Sequence, residues 1–315
     1  MSVHLYKRLS EAMATPRNTI DSYIRNAPMK YKVYTIPKRT SGQRVIAHPA
    51  IRLKKIQRAL VVLLQEYMFI HQKAMAYKTG SSIKKNAELH RTNDYILKID
   101  FNDFFNSITP DLFVNYCNNL GLKLTSAEMN ALIKILFWNK SKKNDGKLVL
   151  SVGAPSSPFI SNVILYSFDE IVDNYCNERN IVYSRYADDL SFSTKEKNIL
   201  FSVPEFIKKQ LNKLFSNAIT INELKTTFSS KAHNRHITGV TIDNDGRLSI
   251  GRERKRYISS LIHKFSLKKL EFNDAKHLQG LFAFACNIEP RFKARMEKKY
   301  SKLIIDDLIK LKELL

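Results

Sequence analysis

Two adjacent aspartates behind an aromatic residue, Tyr186-Ala187-Asp188-Asp189, constrain this chain more than any other stretch. Strand-like runs flank them, Asn180-Ile181-Val182-Tyr183 before and Leu190-Ser191-Phe192-Ser193 after, so the pattern predicts the tip of a β-hairpin. Two carboxylates at one tip repel each other and need a cation to offset them. Magnesium held by carboxylate oxygens is the usual partner where phosphoryl groups are transferred. An Asp-Asp pair alone is also an ordinary turn signal, so the chemistry needs a further carboxylate from a separate strand. Asp100 supplies it, at the end of the apolar run Tyr95-Ile96-Leu97-Lys98-Ile99, which reads as a buried strand. Two ions need carboxylates converging from different strands: one lowers the pKa of an attacking hydroxyl, and both stabilise an in-line displacement at phosphate.

The order, a strand-borne Asp followed well downstream by Tyr-Ala-Asp-Asp, resembles the palm of reverse transcriptases. Charge agrees with such a partner. Across 315 residues, 52 Lys and Arg stand against 29 Asp and Glu, a formal net charge of +23 spread along the chain, which points to a polyanion. Nucleic acid is favoured over membrane, since the longest apolar run, Ala59 to Leu64, is far short of a membrane span. The first eight residues lack the apolar core of a signal peptide. Cys117, Cys176 and Cys286 are far apart, with no disulfide or zinc pattern, which fits a reducing cytoplasm.

In chain order, a modest helix signal spans residues 18–24, and residues 30–47 alternate, turn at Ser41-Gly42 and alternate again, predicting a basic β-hairpin. Its Lys38, Arg39 and Arg44 suit triphosphate or template phosphates, or an ordinary solvated face. Leu53, Ile56, Leu60, Leu63, Leu64 and Tyr67 recur at helical spacing and predict core packing. A Gly80-Ser81 turn then opens a helix with Asn86 and His90 one turn apart on one face; on the residues alone, capping or core packing explains them as well. Their Asn-Ala-x-x-His pattern resembles the hallmark of retron reverse transcriptases. Thr125 to Glu128 reads as a capping box, and residues 140–147 as a polar turn. Leu150 to Asn162 is a turn into a helix, with Ser156 or Ser157 as N-cap, Pro158 in the first turn and Gly153 allowing close approach of a ligand. A helix follows over 204–215. His233 and His236, without further ligands, fit RNA or backbone contacts better than a metal.

The resemblance runs from about Lys30 to the end and implies an α+β, right-hand polymerase fold: fingers, an antiparallel palm sheet backed by helices, and a helical thumb. Residues 1–95 are expected to form the N-terminal segment and fingers. Residues 96–240 form the palm, with a fingers insertion at about 117–150, and 241–315 a basic thumb. Implied is an RNA-directed DNA polymerase, a nucleotidyltransferase, in which Asp100, Asp188 and Asp189 hold two Mg2+ ions. Lys38, Arg44, Asp103, Phe105, Gly153 and Lys225 meet the incoming dNTP, with Phe105 excluding a 2′-hydroxyl and Lys225 near the leaving pyrophosphate. Val152 stands where many members carry Gln, so only backbone contacts carry over at that position. Ile237-Thr238-Gly239 resembles the Val-Thr-Gly element of retron enzymes. RNA contacts are expected from Asn86, His90, His236, Thr238, Gly239, Arg252, Arg254, Lys255 and Arg256. The family further implies a cognate structured noncoding RNA, priming from an internal guanosine 2′-hydroxyl, a branched RNA-linked single-stranded DNA (msDNA), and phage defence with a separate effector protein. Alternatives are a group II intron-like or diversity-generating reverse transcriptase, or a non-catalytic RNA-binding protein of that ancestry.

Overall fold

The computed structural model describes residues 3–37, 42–143 and 146–311. Two short helices, α1 (Leu5–Ala12) and α2 (Arg17–Ile24), each bury one apolar stripe, Leu5 with Leu9 and Ile20 with Ile24. β1 (Tyr31–Pro37) and β2 (Gln43–Pro49) pair antiparallel, Tyr31 opposite Pro49 and Pro37 opposite Gln43, as the alternation predicts. Lys38 and Arg39 lie outside the described residues. The expected stripe of α3 (Ile51–Leu64) is buried at Leu53, Ile56, Leu60, Leu63 and Leu64, while Tyr67 falls beyond the helix end.

α4 (Ile83–His90) starts at Ser82, whose hydroxyl accepts a bond from the Lys85 amide. After β3 (Tyr95–Phe101) come α5 (Phe104–Ser107), α6 (Pro110–Asn119) and α7 (Ser126–Leu136). The last opens on the expected capping box, Thr125 and Glu128 satisfying each other's backbone amides. β4 (Trp138–Asn139) and β5 (Leu148–Val149) pair antiparallel, and Asn144 and Asp145 of the polar stretch between them lie outside the described residues. α8 (Ser157–Ile164) carries Pro158 in its first turn, and Ser156 occupies the N-cap without a side-chain capping bond. α9 (Tyr166–Asn177), β6 (Val182–Tyr186), β7 (Asp189–Thr194), α10 (Val203–Phe215) and β8 (Ile221–Ser229) follow. β9 (Arg235–Ile237), β10 (Val240–Ile242) and β11 (Leu248–Ser249) form a small sheet, and α11 (Arg252–Ser266), α12 (Phe272–Ile288), α13 (Arg291–Tyr300) and α14 (Lys302–Ile309) complete the fold.

A four-stranded sheet in the order β6-β7-β3-β8 places β3 between two strands that lie far downstream in sequence. Helices back it through aromatic contacts: Phe101 of β3 meets Phe104 and Phe168, and Phe168 meets Phe215 of α10 at 6.4 Å. Val203, Ile207, Leu211 and Phe215, four apart on α10, form the buried stripe of that helix.

The chain groups into two units. One holds the residues up to Gly80, Lys98–Ser191 and Asn198–Thr227; the other holds Ser81–Leu97, Phe192–Lys197 and Phe228 onward. The second unit has its own core, in which Ala87 and Ile96 join Ile237, Val240, Ile258, Leu278, Phe282 and Phe292. Apolar packing thus groups α4 with the C-terminal helices rather than with the hairpin that precedes it in sequence. No described helix is long and apolar enough to cross a membrane.

Candidate active site

β6 and β7 are joined by Ala187 and Asp188, with Ala187 in the left-handed region at φ 59°. A residue with a Cβ holds that conformation only when its surroundings enforce it. β3 neighbours β7, so Asp100, the next-to-last residue of β3, is carried to the same turn. The Phe101 amide donates to the Asp188 carbonyl at 3.1 Å and links the two acidic strands directly. Asn102 then secures the start of β8: its amide donates to the Thr220 carbonyl at 2.9 Å and its side chain to the Ile221 carbonyl at 2.8 Å. Four residues further on, β8 carries Lys225, whose ammonium donates to Asp100 Oδ1 at 2.9 Å.

The electrostatics are those of crowded like charges. Asp189 keeps an exposed edge, yet neighbouring protein atoms, then the charges of Asp188 and Asp100, push its carboxyl up to about 6. Asp188 is raised as well, first by burial, with Asp100 adding and Lys225 and Arg44 opposing. Lys225 is held above the usual lysine range by its bond to Asp100. The Lys225 side chain is 62% exposed and that of Asp100 13%, so the lysine is free to swing away while the carboxylate stays. Among the described residues no three His, Cys, Asp or Glu side chains are gathered in ready metal-ligand geometry, Asp100 being engaged by Lys225. The donors are all hard carboxylate oxygens, and those of Asp188 and Asp189 have raised proton affinity. They fit a divalent cation, which would displace protons and take over the offsetting charge now given by Lys225.

A cavity of about 390 Å3 contains His48, Lys54, Arg58, Tyr77, Phe105 and the stretch from Ser151 to Pro158 in its walls. Gly153 is required here. Its φ is 124°, and a Cβ would stand 3.1 Å from the Ala47 carbonyl. The close approach comes from strand-like pairing: Ala47 donates its amide to the Val152 carbonyl at 2.9 Å, and the Ser151 hydroxyl donates to the Ala47 carbonyl at 3.0 Å. Val152 therefore contributes through its backbone. The Ser156 and Ser157 hydroxyls are buried without a hydrogen-bond partner, and Ser157 lines the cavity. Arg44 is exposed on β2, and its charge reaches Asp188 and Tyr77. Asp103, exposed at φ 39°, lies 3.8 Å from the Lys140 ammonium.

Residues 36–242 match the family described as reverse transcriptase (RNA-dependent DNA polymerase). Over 283 residues the chain is 49% identical to the Retron Ec83 reverse transcriptase of Escherichia coli, covering 90% of this chain and 91% of that protein. This chain belongs to the retron reverse transcriptases. It is an RNA-directed DNA polymerase, and its mixed helix-and-sheet architecture is the right-hand polymerase fold of that family. The Retron Ec86 reverse transcriptase of Escherichia coli is 27% identical over 303 residues, covering 93% of this chain and 90% of the relative. Among solved structures, telomerase from Candida albicans in complex with a fragment of telomeric RNA is similar at a TM-score of 0.49 and 12% identity, covering 94% of this chain and 65% of that one.

The retron-like elements lie together in the second unit. Asn86 and His90 are wholly buried. The Asn86 amide reaches Thr238 Oγ1 at 3.5 Å, Thr238 donates to the Ile83 carbonyl at 3.3 Å, and His90 Nδ1 lies 2.8 Å from Ser193 Oγ, which also accepts from Asn93. Neither side chain is presented at the surface: Asn86 is turned toward Thr238 and His90 toward Ser193. Thr238 and Gly239, both at positive φ (47° and 78°), form the two-residue turn between β9 and β10, the left-handed pair that a tight hairpin needs. His236 is exposed opposite Thr241. Arg252, Arg254 and Lys255 line a groove of about 1440 Å3 with Lys84, Arg91 and Arg291; Arg256 is exposed and does not line it. Lys255 is paired with Glu289 at 2.9 Å.

Sequence reasoning missed the cavity residues Tyr77, His48, Lys54 and Arg58, the clamp at Asn102, and a buried Arg185–Asp169 pair. Nothing in the local pattern marks a lone Arg or Asn as structural, because their partners lie on other elements.

Proposed function

We propose that this reverse transcriptase copies a cognate structured noncoding RNA into a branched, RNA-linked single-stranded DNA, and that the product serves antiphage defence together with a separate effector protein. The observation that carries the catalytic part is the meeting of Asp100 with the Asp188–Asp189 turn beneath Lys225, 2.9 Å from Asp100. The retron part is supported by the 49% identity to the Retron Ec83 enzyme over nine-tenths of the chain. Asp100, Asp188 and Asp189 would hold Mg2+, which supplies activation of the primer hydroxyl and charge stabilisation at the α-phosphate.

The chain's own residues then divide the work. Phe105 and Gly153 shape the nucleotide cavity, the aromatic ring closing the space a ribose 2′-hydroxyl would take. Asp103, two residues before Phe105 and exposed, would also meet the incoming nucleotide. Lys225 moves from Asp100 to the triphosphate and donates a proton toward the leaving pyrophosphate, and Arg44 with Lys38 adds charge on the phosphates. In the second unit, the Thr238-Gly239 turn and His236 beside it on β9 meet RNA, with Asn86 holding Thr238 from behind and His90 anchoring α4 to Ser193. Arg252, Arg254, Lys255 and Arg256 supply the salt-dependent phosphate grip.

The test is to express the chain with the DNA immediately upstream of its gene and examine total nucleic acid. Expected is a discrete DNA that remains joined to RNA under denaturing conditions, shifts in size after RNase and disappears in Asp188→Asn. Absence of any RNA-joined DNA, with the protein active on an annealed primer, would leave a reverse transcriptase of another type.

A further inference from the structure

Arg185 and Arg235 are the largest fully buried side chains among the described residues, and Arg185 sits two residues before the left-handed Ala187. Its guanidinium donates four hydrogen bonds. Nε donates to Asp169 Oδ1 at 2.8 Å and Nη2 to Asp169 Oδ2 at 2.6 Å, a bidentate pair with both side chains at 0% exposure. Nη1 donates to Asn162 Oδ1 at 3.0 Å and to the Ala187 carbonyl at 3.1 Å. Tyr183 donates its hydroxyl to Asp169 Oδ1 at 2.7 Å. A buried ion pair adds little net stability over a well-packed apolar pair of the same volume, so its usefulness lies in the geometry it imposes.

That geometry concerns the turn. The Ala187 carbonyl belongs to the peptide that leads into Asp188, and the guanidinium holds it from below. On the far side of Asp188, its own carbonyl accepts from the Phe101 amide at 3.1 Å. Asp188 is thus clamped through the backbone at both ends. The same hub reaches the nucleotide cavity. Arg185 exchanges backbone bonds with Lys73 and Met75 at 2.8 and 2.7 Å, and Asn162 donates its amide to the Ala76 carbonyl at 3.0 Å. The next residue, Tyr77, stands at φ 57° in the cavity wall with Phe105.

We propose that Arg185, fixed by Asp169 and Asn162, is a positioning residue that sets the Ala187 carbonyl and so holds the Asp188–Asp189 turn in register with the Tyr77 wall of the nucleotide cavity. The proposal rests on the catalytic reading of Asp188 and Asp189 given above. An Arg185→Ala change would strand a buried Asp169 charge and confuse folding with function. The informative variant is therefore Arg185→Met with Asp169→Leu, which removes the pair without leaving a charge. Arg185→Lys serves beside it, keeping the charge and losing the fork.

Three quantities are read: the thermal midpoint, amide hydrogen exchange over residues 187–190, and single-nucleotide extension of a DNA primer annealed to a generic RNA, titrated with Mg2+. The double variant is expected to fold with a midpoint near wild type and to bind primer–template normally. It should exchange the turn amides at least tenfold faster and lose about 100-fold in maximal rate, the scale of an ångström-level misplacement. Raised Mg2+ should restore part of that loss, which a general packing defect would not allow. A folded variant with wild-type exchange and rate overturns the proposal, and so does failure of both variants to fold, which would assign Arg185 to the core alone. Asp188→Asn run in parallel separates the two readings: if it is inactive while the Arg185 variants are normal, only the positioning role falls.

Discussion

The acidic turn and the Asn86/His90 cluster are the two places where short sequence patterns pointed most sharply, and they use their polar groups in opposite ways. At the turn, burial and then neighbouring like charges make the Asp188 and Asp189 carboxyls hold their protons more tightly, and the offsetting lysine is mostly exposed and replaceable. Around α4, every named polar group is bonded inward: Asn86 to Thr238, His90 to Ser193. Left electrostatically unsettled, the first region is suited to take up a cation and react. The second is settled, and in the function proposed above it would act through the shape of the Thr238-Gly239 turn. On that proposal, chemistry is built from unbalanced charge and recognition from a braced surface.

The largest expected effect would break this contrast if it failed. Asp100→Asn or Asp188→Asn should lower primer extension on the order of 1,000-fold while leaving RNA affinity nearly unchanged, because one charge is lost from a reacting centre and none from the basic groove. Single-turnover extension and a binding titration at one salt concentration check it; undiminished extension would remove these residues from the chemistry.

A smaller effect sharpens the account of the open side. Phe105→Ala should raise ribonucleotide use relative to deoxyribonucleotide by about tenfold on any template, since it deletes a steric barrier without adding a contact. Ratios from single-nucleotide extension decide it, and an unchanged ratio would move the gate to Phe104.

The smallest is a pH effect confined to the acidic side. Asp189 is raised in the folded protein to about 6, above an ordinary unfolded Asp near about 4. Its contribution to stability is therefore fully present below about pH 4 and is lost as pH rises through about 6. Metal-free protein should lose stability across that window, and Asp189→Asn should flatten the loss; denaturant titrations at several pH values read it. The divalent concentration needed for activity should rise in the other direction, as pH falls through about 6 and protons compete for the carboxylates.

Much of this was legible in the residues. The hairpin tip, the α3 stripe, the Thr125–Glu128 capping box and the convergence of Asp100 with Asp188 and Asp189 follow from local period, turn chemistry and charge. What was hidden depends on distant partners. One-turn spacing put Asn86 and His90 on a common face, but only the packing of β9 and β10 against α4 shows that the face is covered. Arg185 and Asp169, sixteen residues apart, read as two ordinary charges until β6 and α9 bring them together. Gly153 read as a glycine that lets a ligand approach closely, and only the structure shows that the close neighbour is the Ala47 carbonyl, 3.1 Å from where a Cβ would stand.

The division of labour between the two regions is tested most directly by asking each to fail alone. Asn86→Ala with His90→Ala, and Asp188→Asn separately, should be measured on two substrates at the same salt: the self-priming cognate RNA and an unrelated RNA with an annealed DNA primer. The account predicts that Asp188→Asn is inactive on both, while the paired alanine variant is crippled on the cognate RNA and extends the generic primer at close to the wild-type rate. Equal loss of both activities in the folded alanine variant, or equal retention of both, would contradict it.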